Sequence, residues 1–212
     1  MKRFISSLFL CACCALSAFA QKTPQAPVAP TKDYPACFAA WDANLHTLDT
    51  HFTQTTQYDG VLISQSQGQI LYNSTGPLLR LNTLENNIIT QSALTDKKKI
   101  YILDEKGKEI STVDWSDWLS GQPNQALFDF GNYTALLKRH DVSLFDQTAQ
   151  TAVLKLTPKN KSEGYILYVT LSAKNCFPQE ITIESDLMKT IASLQDPKIN
   201  TTLPTEAFKG IK

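Results

Sequence analysis

The spacing of apolar and polar positions changes period along this chain. In ACFAAWDANLHTLDTHF, Phe38, Trp41, Leu45, Leu48 and Phe52 recur three and four apart, with Asp42, Asn44, Thr47 and Asp49 off their line. That spacing is one apolar helix face with a wet opposite side. Pro35 just before it suits a first helical turn. From Thr53 the period shortens. GQILYN, PLLRLNT, NNIITQS, KKIYILD, TAVLKLTP, GYILYVTLSA and PQEITIES are short β-type runs, parted by turn-forming Asp, Asn, Gly and Lys as in Asp104-Glu105-Lys106-Gly107. Leu167, Val169 and Leu171 alternate with Thr170 and Ser172, and Ile181 and Ile183 alternate with Glu180, Thr182 and Glu184, so each strand has a buried and a wet face. LDTHFTQTTQYDG, residues 48–60, then reads as the passage from the helix into a first, long edge strand whose outer face lies in water.

Between the strand groups lies WSDWLSGQPNQALFDFGNYTALLKRH. Trp115, Trp118 and Leu119 fit one short helix; Leu127, Phe128, Phe130, Leu136 and Leu137 fit another, broken near Gly131. The predicted order is a helix, about five strands, a helical insertion and about five strands. This is a mainly β fold with helices (α+β): one antiparallel, curved sheet whose apolar face the helices cover. The alternation puts Ile70, Tyr72, Leu79, Leu81, Leu154, Leu156, Leu167, Val169, Leu171, Ile181 and Ile183 on that face. The insertion side chains are too many and too apolar to stay in water.

The beginning of the chain changes the setting. MKRFISSLFLCACCALSAFAQK has a basic start, an apolar stretch too short to span a bilayer and a small-x-small motif at Ala18-Phe19-Ala20. Residues 1–20 read as a cleavable signal peptide for export; Leu10-Cys11-Ala12-Cys13 offers the alternative of a lipid on Cys13. Residues 21–35, with four prolines, read as an extended linker, and 36–212 as a single domain. Without Lys2 and Arg3, 18 of the 20 basic residues remain against 20 acidic ones, a balance that gives no reason to expect nucleic acid. Apolar residues at 42% suit a folded chain. Beyond the leader only Cys37 and Cys176 remain, which in an oxidising compartment suggest one disulfide, the alternative being two buried thiols.

Little reactive chemistry is visible. His46, His51 and His140 stand apart, and no nucleophile elbow, phosphate loop or CxxC occurs. No cofactor or metal is expected, and no enzymatic activity.

The order of landmarks resembles the LolA family of periplasmic outer-membrane lipoprotein carriers. Phe52-Thr53-Gln54 is similar to the family's F-x-Q, and GQILY with Leu78-Leu79-Arg80-Leu81 to its G-x-L…P-x-L-R-F passage. DKKKIYILD, LKLTP and FPQEI, with Lys198-Ile199-Asn200 and Phe208, resemble its later strands. The resemblance implies an unclosed β-barrel, a helical lid and a periplasmic, monomeric carrier. It implies acyl chains of a lipoprotein held by the strand residues named above together with Trp115, Trp118, Leu119, Leu127, Phe128 and Phe130. It also implies loading by an inner-membrane lipoprotein-releasing ABC transporter and unloading at an outer-membrane receptor. The alternatives are a membrane-anchored receptor or sensor of the same fold, with lipid on Cys13, or an interaction domain without lipid. The family's arginine before the L-R passage has no counterpart, since Thr75 or Gly76 stands there. Lid closure is therefore expected to rest on apolar contact alone.

Overall fold

The computed structural model describes residues 32–209 except 77 and 122–127. The expected signal peptide, the Cys13 attachment point, the linker up to residue 31 and Leu127 lie outside the described residues.

Helix α1 (Tyr34–Ala43) starts where the Asp33 carboxylate accepts the Ala36 N–H at 3.0 Å, with a proline in the first turn. Tyr34 and Pro35, read as the end of the linker, are thus helical. The Asn44 side chain donates to the Ala40 carbonyl at 2.7 Å and ends the helix. The helix therefore stops well short of its predicted end. Leu48 and Phe52 belong to strand β1 (Thr47–Tyr58). Their spacing of four fits both periods, and Thr at 47, 50 and 53 tips the balance toward a strand.

The other elements are β2 (Val61–Asn73), β3 (Leu78–Glu85), β4 (Ile88–Thr95), β5 (Lys99–Asp104), β6 (Glu109–Asp114), α2 (Trp115–Gly121), α3 (Tyr133–Arg139), β7 (His140–Gln147), β8 (Thr151–Pro158), β9 (Tyr165–Ser172), β10 (Pro178–Ser185) and β11 (Met188–Ile199). They form one antiparallel, unclosed sheet of 11 strands in the order β6-β5-β4-β3-β2-β1-β11-β10-β9-β8-β7. β1 is thus a central strand and not an edge. The strand that makes it so is β11, whose sequence MKTIASLQDPKI carries too many polar residues to stand out, and which pairs with β1 from Met188 to Ile199. The edges are β6 and β7, and the helical insertion links one to the other.

Directly paired residues share a sheet face. Ile70 pairs with Leu81 and Tyr72 with Leu79; Leu154 pairs with Val169 and Leu156 with Leu167; Ile181 and Ile183 face Val169 and Leu167. Phe52, Leu194 and Ala192 join the two halves through β1 and β11. The register therefore puts every strand residue that alternation selected on one face. Gly68 keeps that face open beside Phe52, since a Cβ there would collide with the Phe52 ring and the Asn82 carbonyl. On the other face, Arg80 donates to Asn82, Ser92 and the Ala207 carbonyl, which brings the C-terminal segment onto the sheet.

The two cysteines form a disulfide, Cys37–Cys176, with Cα atoms 6.0 Å apart. It fastens α1 to the turn between β9 and β10. Trp41 packs edge-on against Phe177 beside it, ring centroids 5.7 Å apart.

Candidate functional site

The apolar face and the elements over it form one cluster. Ile70, Tyr72, Leu79, Leu154, Leu156, Leu167, Val169, Leu171, Ile181 and Ile183 are buried in it with Trp115, Phe128 and Phe130 from the insertion; Leu81, Trp118 and Leu119 pack against its rim. Trp115 and Trp118 stack with centroids 4.9 Å apart. Phe128 meets Phe52 edge-on, and Phe130 lies against Tyr72, both across the sheet–insertion contact. Phe128 and Phe130 precede α3 and are not part of it. Tyr133, Leu136 and Phe38 complete the contact, with Phe38 and Tyr133 stacked at 4.8 Å.

Polar bonds hold the insertion as well, which corrects the expectation of purely apolar closure. Lys97, in the turn between β4 and β5, donates from Nζ to Asp129 Oδ1 at 2.7 Å and to the Phe130 carbonyl at 2.5 Å. From the other side Asp42 of α1 accepts the Gly131 N–H at 2.6 Å and the Tyr133 N–H at 2.8 Å. Asn132 Nδ2 donates to the second Asp129 oxygen at 2.7 Å. Gly131 has φ +80, a left-handed conformation that favours glycine, and a Cβ there would run into the Tyr72 hydroxyl. The segment 129–133 is thus gripped between the sheet turn and α1. A cleft of about 420 Å³, lined by Asp42, Leu45, His46, Tyr72, Lys97, Phe130 and Gly131, opens beside this grip.

Burial pushes the Asp42 carboxyl above its usual range, against the opposing pull of the Gly131 and Tyr133 amides and the Lys97 charge. Burial, reinforced by Asp42 and Asp129, pushes the Tyr72 hydroxyl up to about 12. Both Lys97 and Asp42 escaped the sequence reading. Asp42 was assigned to the wet side of the helix, yet it is buried. Lys97 is one of three consecutive lysines. Asp42 lies four residues after Phe38 and next to Trp41, a spacing that places it beside the apolar face, whereas the φ of +62 at Lys97 leaves no trace in sequence.

A single open antiparallel sheet, apolar on one face and closed over by a helical insertion, defines the unclosed-barrel class of folds. The model of the outer membrane lipoprotein carrier protein LolA matches residues 43–210, and the chain belongs to the LolA family. Among solved structures, the LolA superfamily protein NE2245 from Nitrosomonas europaea is similar with a TM-score of 0.50 and 13% identity, over 83% of this chain and 96% of that one. A DUF1329 family protein from Desulfovibrio piger gives 0.51 at 8% identity, over 86% and 98%. MucB gives 0.53 at 15% identity, over 84% of this chain and 62% of MucB. At these identities the likeness is one of fold. No curated protein matches the chain. Among the described residues, no helix is long and apolar enough to cross a membrane.

Proposed function

We propose that this protein is an exported carrier, without enzymatic activity, that takes the acyl chains of a lipoprotein or another lipid between the apolar sheet face and the insertion, which acts as its lid. In this reading residues 1–20 direct export to the periplasm and are removed, residues up to α1 are a linker, and the rest is one carrier domain. An ABC transporter of the inner membrane would load it and an outer-membrane receptor would unload it. The observation that supports the reading is the shared apolar cluster. The side chains able to line a lipid cavity are the ones that now fill it, together with Phe128 and Phe130, and a small set of polar bonds grips the segment that carries those rings.

The energetics favour exchange. Lifting one of these rings off the sheet costs about 1.5–3 kcal/mol. A lipid chain returns about 0.8 kcal/mol per buried CH₂, so a few methylenes replace one ring. The lid grip then sets the affinity, because its bonds exist only in the closed state. The test is a titration with a fluorescent fatty-acyl probe below its micelle concentration, with circular dichroism to confirm folding. Wild type should bind saturably. Lys97→Met, which frees Asp129 and the Phe130 carbonyl, should bind about tenfold more tightly. Absence of binding by both folded proteins would reduce the cluster to an ordinary filled core.

A further inference from the structure

The hairpin of β1 and β2 runs past the core. β3 pairs with β2 only from Gly68 to Asn73, so residues 61–67 have β1 alone as their strand partner. The stem of this hairpin is polar on both faces: Thr53, Gln54, Thr55, Thr56 and Gln57 on one strand, Ser64, Gln65, Ser66 and Gln67 on the other. On β2 these residues are mostly exposed, whereas those of β1, flanked by β2 and β11, are half-buried. The end of the hairpin is different. Tyr58, Val61, Leu62 and Ile63 are 48%, 66%, 52% and 57% exposed. The β10–β11 turn lies alongside: Tyr58 pairs with Met188, the Asp59 N–H donates to the Leu187 carbonyl at 2.8 Å, and Leu187 and Met188 are 51% and 42% exposed. Two adjoining turns thus carry six large apolar side chains into water, and the four on the β1–β2 hairpin are separated from the core by a polar stem. Proximity to the core cannot explain them, and a patch of this kind marks an interaction site.

We infer that this double tip dips into the interfacial layer of a lipid bilayer. The faces decide between a membrane and a protein socket. Tyr58, Val61 and Met188 share the face on which Thr56 and Thr190 lie, whereas Leu62 pairs with Gln57 on the opposite one. A protein surface docked flat on the tip would cover one set and leave the other in water. Hydrocarbon closes round both. The depth is shallow, because the stem keeps an unpaired backbone edge along β2 that must stay hydrated. The charges set the lipid preference. Asp59 and Asp186 occupy the two turns, and Lys189 is neutralised by Glu184 at 2.8 Å. The tip is acidic, so zwitterionic lipid suits it better than anionic lipid. Its Tyr58 face continues through Thr56 and Gln54 to Phe52 and the apolar cluster, which gives a lipid chain a direct path along β1. The membrane contact itself does not depend on the carrier reading.

The test is flotation of the purified chain from Gln21 onward, which contains every described element, with phosphatidylcholine vesicles. A second series replaces part of the lipid with phosphatidylglycerol. Wild type should float with phosphatidylcholine and less so with the mixture. The variant Val61→Ser, Leu62→Thr, Ile63→Ser, verified by circular dichroism, should lose about tenfold or more of its partitioning. It should keep the wild-type affinity for the acyl probe, which separates this proposal from the carrier reading. The proposal is overturned by folded wild type that stays off both vesicle types, by equal partitioning of wild type and variant, or by binding that grows with phosphatidylglycerol. It is also overturned if light scattering finds a wild-type dimer that the variant abolishes, for then the tip joins two copies of the chain.

Discussion

Asp42 sits where α1 meets the lid and serves two backbone amides of the segment it faces. The charged and titratable groups around it are Lys97, Asp129, Tyr72 and Tyr133. A carboxyl whose native pKa lies above its unfolded value binds its proton more readily when folded. Its ionised form costs stability above that native value, and the cost is relieved as pH falls through it. Acidification should therefore not release the lid through Asp42. Replacement by asparagine leaves one oxygen for two donors and turns an amide N–H₂ toward the other. Asp42→Asn should lose about 1–3 kcal/mol at neutral pH. Because the variant lacks the relief on acidification, its deficit should widen as pH falls. Urea unfolding of both proteins across the acid range measures this, and a deficit that narrows instead would contradict the burial-driven shift. Lys97 makes the complementary point. It holds Asp129 and the Phe130 carbonyl, and nothing in the local sequence distinguishes it from Lys98 and Lys99.

At the scale of elements, α1 matters more than its length suggests. It has ten residues, too short to be stable alone, and it depends on the stacked rings of Phe38 and Tyr133, on Asp42 and on the disulfide. The bond closes a sequence separation of 139 residues. The chain-entropy argument gives about 4–5 kcal/mol for a loop of that size, as an upper value before native strain and residual structure in the unfolded chain. Cys37→Ser with Cys176→Ser should therefore lower the urea midpoint strongly. It should also speed amide hydrogen exchange at Gly131 and Tyr133 beyond the change at β9 and β10, because freeing α1 frees the Asp42 side of the lid grip. Uniform acceleration across the sheet would show that the disulfide stabilises the fold without bearing on the lid. The β1–β2 hairpin is the other element with a divided role, central in the sheet at its base and free of the core at its tip.

For the whole molecule, an unclosed sheet leaves two edges, and edges invite pairing with other chains. On β7 the exposed Leu144 and Phe145 are flanked by Asp141 and Asp146; β6 is exposed along its length and bears Glu109 and Asp114. These charges suit a monomer. Asp141→Asn with Asp146→Asn should raise self-association with concentration in size-exclusion light scattering, while wild type stays monomeric; dimers in both would place self-pairing elsewhere. The sequence by itself determined the strand faces, because alternation with period 2 is a local property that survives any pairing. Ile70, Tyr72, Leu154 and Ile181 could be placed on the apolar side without knowing their partners. It also marked out the insertion, since Trp115, Trp118, Phe128 and Phe130 cannot remain in water. The boundary between α1 and β1 was not legible, because Leu48 and Phe52 satisfy both periods, and only pairing with β2 and β11 selects the strand. The central position of β1 was hidden for the same reason, as it depends on a polar strand 130 or more residues away. The lid grip was decided by tertiary structure alone. Lys97, Asp42 and Asp129 lie on three separate segments, and the hydrogen bonds that join them come from how the chain closes on itself and not from the neighbours of any one residue.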